Sequence, residues 1–104
     1  MYLFSITINI EDSVRDEWII WVNRKVKPLL KDGSLVYDFR ILRVISEEEN
    51  SGTSYSFQYH IRTLKEIEDF EERYDREVAV DMYRFYSEKF VEFRTRLEVV
   101  DWEI

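Results

Sequence analysis

Hydrophobic residues in this chain repeat with two different periods, and the order of the periods leaves few folds open. Residues 2 to 10 alternate, with Tyr2, Phe4, Ile6, Ile8 and Ile10 on one side and Ser5, Thr7 and Asn9 opposite. That is the period of a half-buried strand. Asp12 or Ser13 can then cap a helix, and Asp16 adds favourable charge near its positive end. At about 100° per residue, Val14, Trp18, Trp21, Val22, Val26 and Leu29 cover one side of that helix. Ile20 falls outside the arc, and Pro28 with Gly33 is expected to end the segment.

Residues 35 to 46 read as a second strand with Leu35, Tyr37, Phe39 and Ile41 inward. Val36, Leu42 and Val44 take the opposite parity, so either both faces are buried or a bulge near Ile41 resets the alternation. Beyond the acidic turn at Glu47 to Gly52, Tyr55, Phe57, Tyr59 and Ile61 alternate with Ser54, Ser56, Gln58 and His60, which makes a hairpin. Thr63-Leu64-Lys65-Glu66 is a capping box. After it, Leu64, Ile67, Phe70, Tyr74, Val78, Met82 and Phe85 hold one stripe with no phase slip, predicting a long helix or two collinear ones. Finally Val91, Phe93, Thr95, Leu97 and Val99, assigned to the core, alternate with Glu92, Arg94, Arg96 and Glu98, assigned to the opposite side.

The order β-α-β-β-α-β, with right-handed crossovers, gives a ferredoxin-like α+β sandwich. Its four-stranded antiparallel sheet runs 4-1-3-2, with both helices on one face. Residues 1–104 are expected to form a single domain, since a chain of 104 residues has no room for two. Gly and Pro together number three, so loops must be short.

Composition excludes most chemistries. Fifteen basic against 22 acidic residues give a net charge of −7, which repels phosphate backbones and anionic membranes. No nucleic-acid partner is expected, because the central strands also lack the aromatic platform on which bases stack. The chain has no cysteine and one histidine, too few for a zinc site or thiol chemistry. Its two glycines stand alone, so no phosphate-cradling loop exists, and neither metal nor cofactor is expected. The carboxylates at Glu47 to Glu49 lack the spacing of a calcium loop. The N-terminus has no signal-peptide anatomy and no run of about 20 apolar residues occurs, so a soluble cytoplasmic protein is expected.

His60 carries the one side-chain type that titrates near neutrality, and it is the weak candidate for a catalytic base. Parity directs it to the helix-free face, opposite Arg40 if the hairpin closes around residues 48 to 52. An ordinary surface imidazole bonded to a strand neighbour fits the same pattern. Arg94 and Arg96, on that face by parity, can present an anion-binding edge to a small carboxylate, or form a solvated ladder with Glu92 and Glu98. Trp18 and Trp21 read as core. Leu3, Val36, Leu42, Val44, Phe90, Val100 and Trp102 frame the helix-free face around a polar centre, so a homodimer stacking two such faces is expected to cover it.

Taken together, Met1-Tyr2-Leu3-Phe4 with Thr7-Ile8-Asn9, Asp16-Glu17-Trp18, Arg40 to Val44, Ser51 to Tyr59 and Phe93 to Val100 resemble a bacterial family of small ferredoxin-like proteins. It is known only as domain-of-unknown-function family 4286. The resemblance brings no catalytic residues. It makes Thr7, Asn9, Gln58, Arg94, Thr95 and Glu98 the polar residues to test, all but Thr95 on the helix-free face. The expected role is a non-enzymatic dimeric interaction or small-ligand-binding module, with Thr7, Asn9, Arg40, Gln58, His60 and Arg94 as ligand contacts. The alternative is an enzyme resembling the cofactor-independent dimeric α/β-barrel monooxygenases, with His60 in the cavity. A regulatory sensor resembling the ACT domains is disfavoured, because Glu11-Asp12-Ser13 lacks their loop glycine.

Overall fold

A computed structural model describes residues 1–32, 35–45 and 52–100. The Glu47 to Glu49 turn, Gly33 and Trp102 lie outside the described residues. Strand β1 (Tyr2–Glu11) leads through a short 3-10 turn (Asp12–Val14) into a first helix over residues 15–32. The hairpin strands β2 (Val36–Arg43) and β3 (Gly52–Ile61) follow, then a second helix over residues 64–86, then β4 (Phe90–Glu98). The sheet runs β2-β3-β1-β4, with β1 antiparallel to both β3 and β4. This is the sandwich that the order of periods implied.

The inward side chains of β1 and β3 meet the two helices in one core. Phe4, Ile6, Ile8 and Ile10 are buried with Phe57, Tyr59 and Ile61, and Trp18, Val22, Val26, Ile67, Phe70 and Met82 close it from above. Aromatic rings dominate: Tyr59 lies 4.9 Å from Phe70 and 5.0 Å from Phe39 between centroids. The Trp18 indole N–H meets the Met82 sulfur at 3.1 Å, which accounts for its one polar atom inside the core.

Both helices depart from the expected stripes for the same reason. Val22–Val26 in the first and Glu71–Asp75 in the second are π turns, in which the Lys27 amide donates to the Val22 carbonyl and the Arg76 amide to the Glu71 carbonyl. Each π turn absorbs one extra residue. In the first helix the buried residues are therefore Trp18, Val22, Val26 and Leu30, with Leu29 only half-buried. Regular α geometry drifts by about 40° at each such four-residue step; the wider turn takes up the drift. Pro28 does not end the helix, which continues to Asp32.

The second helix does slip phase. Asp75 becomes a buried position, Tyr86 replaces Phe85 inside, and Leu64 and Phe85 are exposed. Thr63 caps this helix as expected, its hydroxyl accepting from the Glu66 amide at 3.1 Å. No side chain caps the first helix: the Asp12 carboxylate accepts from the Thr53 hydroxyl instead, and Ser13 donates to Glu11.

In β2 the irregularity falls at Tyr37, between Val36 and Asp38, rather than at Ile41. Tyr37 is thrown outward under the Arg62 guanidinium, Val36 turns toward the core, and Leu42 and Val44 stay exposed. No helix among the described residues is long and apolar enough to cross a membrane.

Candidate functional site

Strand pairing fixes what each face carries, because directly paired residues share a side. Leu3 pairs with His60, Ser5 with Gln58, Thr7 with Ser56 and Asn9 with Ser54. On the other edge of β3, Asp38 pairs with His60, Arg40 with Gln58 and Leu42 with Ser56. Thr7, Asn9, Arg40, Gln58 and His60 thus converge on the helix-free face, as their parity required. Asn9 donates to the Ser54 hydroxyl at 3.0 Å and Gln58 to the Ser56 hydroxyl at 3.3 Å. Asn9 is seated closely: a Cβ on Gly52 would lie 2.5 Å from its Oδ1.

The partner of His60 is Asp38, not Arg40. A hairpin's register follows its turn, and moving the turn's centre by one residue moves every partner by two. The Asp38 Oδ2 atom lies 3.8 Å from the His60 Nδ1 atom and 3.5 Å from the Arg40 Nε atom. The Nδ1 atom is buried and makes no hydrogen bond among the described residues.

Strand β4 is turned over relative to expectation. Arg96 pairs with Phe4, Arg94 with Ile6, Glu92 with Ile8 and Phe90 with Ile10, so all four project to the helix side. Glu98, paired with Tyr2, joins them. Val91, Phe93, Thr95 and Leu97 face away from the helices, with Phe93 70% exposed. Thr95, expected to be the exception among the polar residues, is on the helix-free face, and Arg94 and Glu98 are off it. The reason is position: β4 is an edge strand, its helix side close to solvent and to acids of the second helix. Val100 lies beyond the strand, exposed.

That inversion assembles a cluster on the helix side. Asp75, only 7% exposed, pairs with Arg94, which also reaches the Glu92 carboxylate at 3.2 Å. Arg96 grips Glu71 through two bonds of 2.9 and 2.7 Å. Burial raises the Asp75 carboxyl above its ordinary range; Arg94 opposes the shift, and Glu92 and Glu71 add to it. Burial likewise raises the Tyr59 phenol, with Asp75 contributing. Burial works against the Arg94 charge, but Asp75 and Glu92 more than offset it. The sequence carries a trace of this cluster in Glu71 and Asp75, one turn apart beside the apolar stripe. Reading it requires the π turn that brings Asp75 inward. Among the described residues, no group of three or more acidic or histidine side chains is arranged to hold a metal ion.

A family model, Domain of unknown function (DUF4286), matches residues 1–100. The chain belongs to the DUF4286 family. A search of curated proteins found no match. Among solved structures, this DUF4286 chain is similar to a dimeric ferredoxin-like protein from an uncultured marine organism, at 15% identity and TM-score 0.69 over 100% of this chain and 99% of that one. It is also similar to a mutant of MhuD with two manganese protoporphyrin IX bound per active site, at 12% identity and TM-score 0.70 over 99% and 98% of the two chains. A DABB family protein with a ferredoxin-like fold from Mesorhizobium loti matches at 16% identity and TM-score 0.54 over 91% and 96%. At these identities the likeness establishes a shared fold, and the residues of the DUF4286 chain must argue its function.

Proposed function

We propose that the protein is a self-associating, small-ligand-binding module whose helix-free sheet faces stack in a homodimer. One observation carries the reading: β4 turns Val91, Phe93 and Leu97 to the side that no helix covers, joining Leu3 and Leu42. The face is also poor in charge. Its described strand positions hold Asp38 and Arg40, which pair, and Glu11 at the end of β1, in a chain with 37 acidic and basic residues. Apolar anchors and depleted charge are what interface centres select. Stacking two copies would enclose the polar strip of Thr7, Asn9, Ser56, Gln58 and His60 as a chamber for a small organic ligand. Neighbours of the same fold described as dimeric ferredoxin-like proteins support the assembly.

Sedimentation equilibrium at micromolar concentration tests this. Wild type is expected to be a dimer and Phe93→Asp a folded monomer; a monomeric wild type overturns the proposal.

The His60–Asp38 pair favours a second reading, in which the chamber is catalytic. Asp38 would orient the imidazole through Nδ1, leaving Nε2 to move a proton. An activity found by substrate screening must then be lost in His60→Ala, and unchanged turnover eliminates this mechanism.

A further inference from the structure

The opposite face holds a recess that the dimer reading leaves unused. It is an open cleft of about 430 Å³, floored by Phe4 and walled by Glu71 and Asp75 from the second helix and by Arg94 and Arg96 from β4. That volume suits a small organic molecule. We propose that the cleft binds a small organic carboxylate, held between the Arg94 and Arg96 guanidiniums.

Two arginines separated by one residue on a strand project the same way. Arg94 is fixed in place: Glu92 engages its Nε and Nη2 atoms and Asp75 its Nη1 atom. A guanidinium has five N–H donors, so an incoming carboxylate still finds some unused. Arg96 has its Glu71 partner at the rim, where both side chains are partly exposed. Solvent reaches and screens this pair, so a ligand carboxylate can compete with Glu71 for the Arg96 guanidinium.

Charge balance decides how an anion is accommodated. Glu71, Asp75 and Glu92 place three carboxylates against two guanidiniums, one negative charge in excess before any ligand arrives. Asp75 is faced by Arg94 and Glu92 from β4, by Tyr59 from β3 and by Glu71 from its own helix. Burial and the two glutamates already favour its neutral form, and an arriving carboxylate adds another like charge. Protonation of Asp75 would remove that excess charge and provide an O–H able to donate to the ligand.

The test is titration of the full chain with benzoate, followed by amide NMR shifts and calorimetry at about pH 5.5 and about pH 8, with benzamide as the uncharged analogue. Saturable benzoate binding is expected, with shifts at residues 71–76 and 92–96 and with benzamide weaker by about tenfold or more. Affinity should rise on acidification, by up to about tenfold per pH unit where Asp75 titrates. Asp75→Asn, which removes one of the three carboxylates, should bind benzoate more tightly than wild type at the higher pH and lose the pH dependence. Arg96→Gln, at an exposed position, should weaken binding by about tenfold and leave the fold unchanged. Absence of saturable binding at both pH values, equal affinity for benzamide, shifts confined to the helix-free face, or a pH-independent wild type would each overturn the proposal. A monomeric wild type would sink the dimer and leave this site untouched.

Discussion

Asp75 occupies a place in the second helix where packing alone would put an apolar side chain, and its ion pair with Arg94 offsets the cost only in part. The sign of its pH dependence follows from the direction of the shift. Its folded-state pKa lies above the ordinary 3.8, mainly because the carboxylate is buried. The folded chain then binds the proton more tightly than the unfolded one. Stability is gained as pH falls through the folded value and levels off below the unfolded value. In urea unfolding followed over that window, wild type should gain stability relative to Asp75→Asn as the pH is lowered. A wild type that loses ground on acidification would mean that Arg94, not burial, governs the group.

At the scale of elements, the two π turns decide which residues reach the core. Arg24 is exposed within the first of them. Inserting one alanine beside it would give the turn a second extra residue and rotate Val26 and Leu30 by about 100° off the sheet. The expected loss is about 2–5 kcal/mol, as for removing a large buried side chain, and thermal unfolding measures it. An insertion that melted like wild type would show that the phase of this helix does not set the packing. The same turns explain what the sequence can convey. Alternation sorts the residues of β1, β3 and β4 into two sets, and for β1 and β3 the apolar set is the buried one. In β4 the alternation is equally clean, but direction is not contained in periodicity: it is set by pairing with β1 and by the acids that the second helix offers. Parity therefore puts Arg94 on the wrong face, while it places Thr7, Asn9, Gln58 and His60 correctly. Asp38 is hidden from such a reading because the hairpin's register depends on its turn.

Across the whole molecule, charge and apolar surface are divided between the faces. Ion pairs such as Arg94–Asp75 and Arg96–Glu71 gather on the helix side, while Val91, Phe93 and Leu97 lie on the bare one. A monomer holds those three side chains in water and gains nothing from them; a dimer withdraws them at about 25 cal/mol per Å² of apolar area. If stacking supplies that stabilisation, unfolding is coupled to dissociation, and the melting temperature must rise with protein concentration. Calorimetry over a hundredfold concentration range should show this for wild type. Phe93→Asp should melt at one temperature throughout, because its monomer loses no core contact with a side chain that was already 70% exposed. A wild type whose melting temperature ignored concentration would leave the apolar face without a partner to cover it.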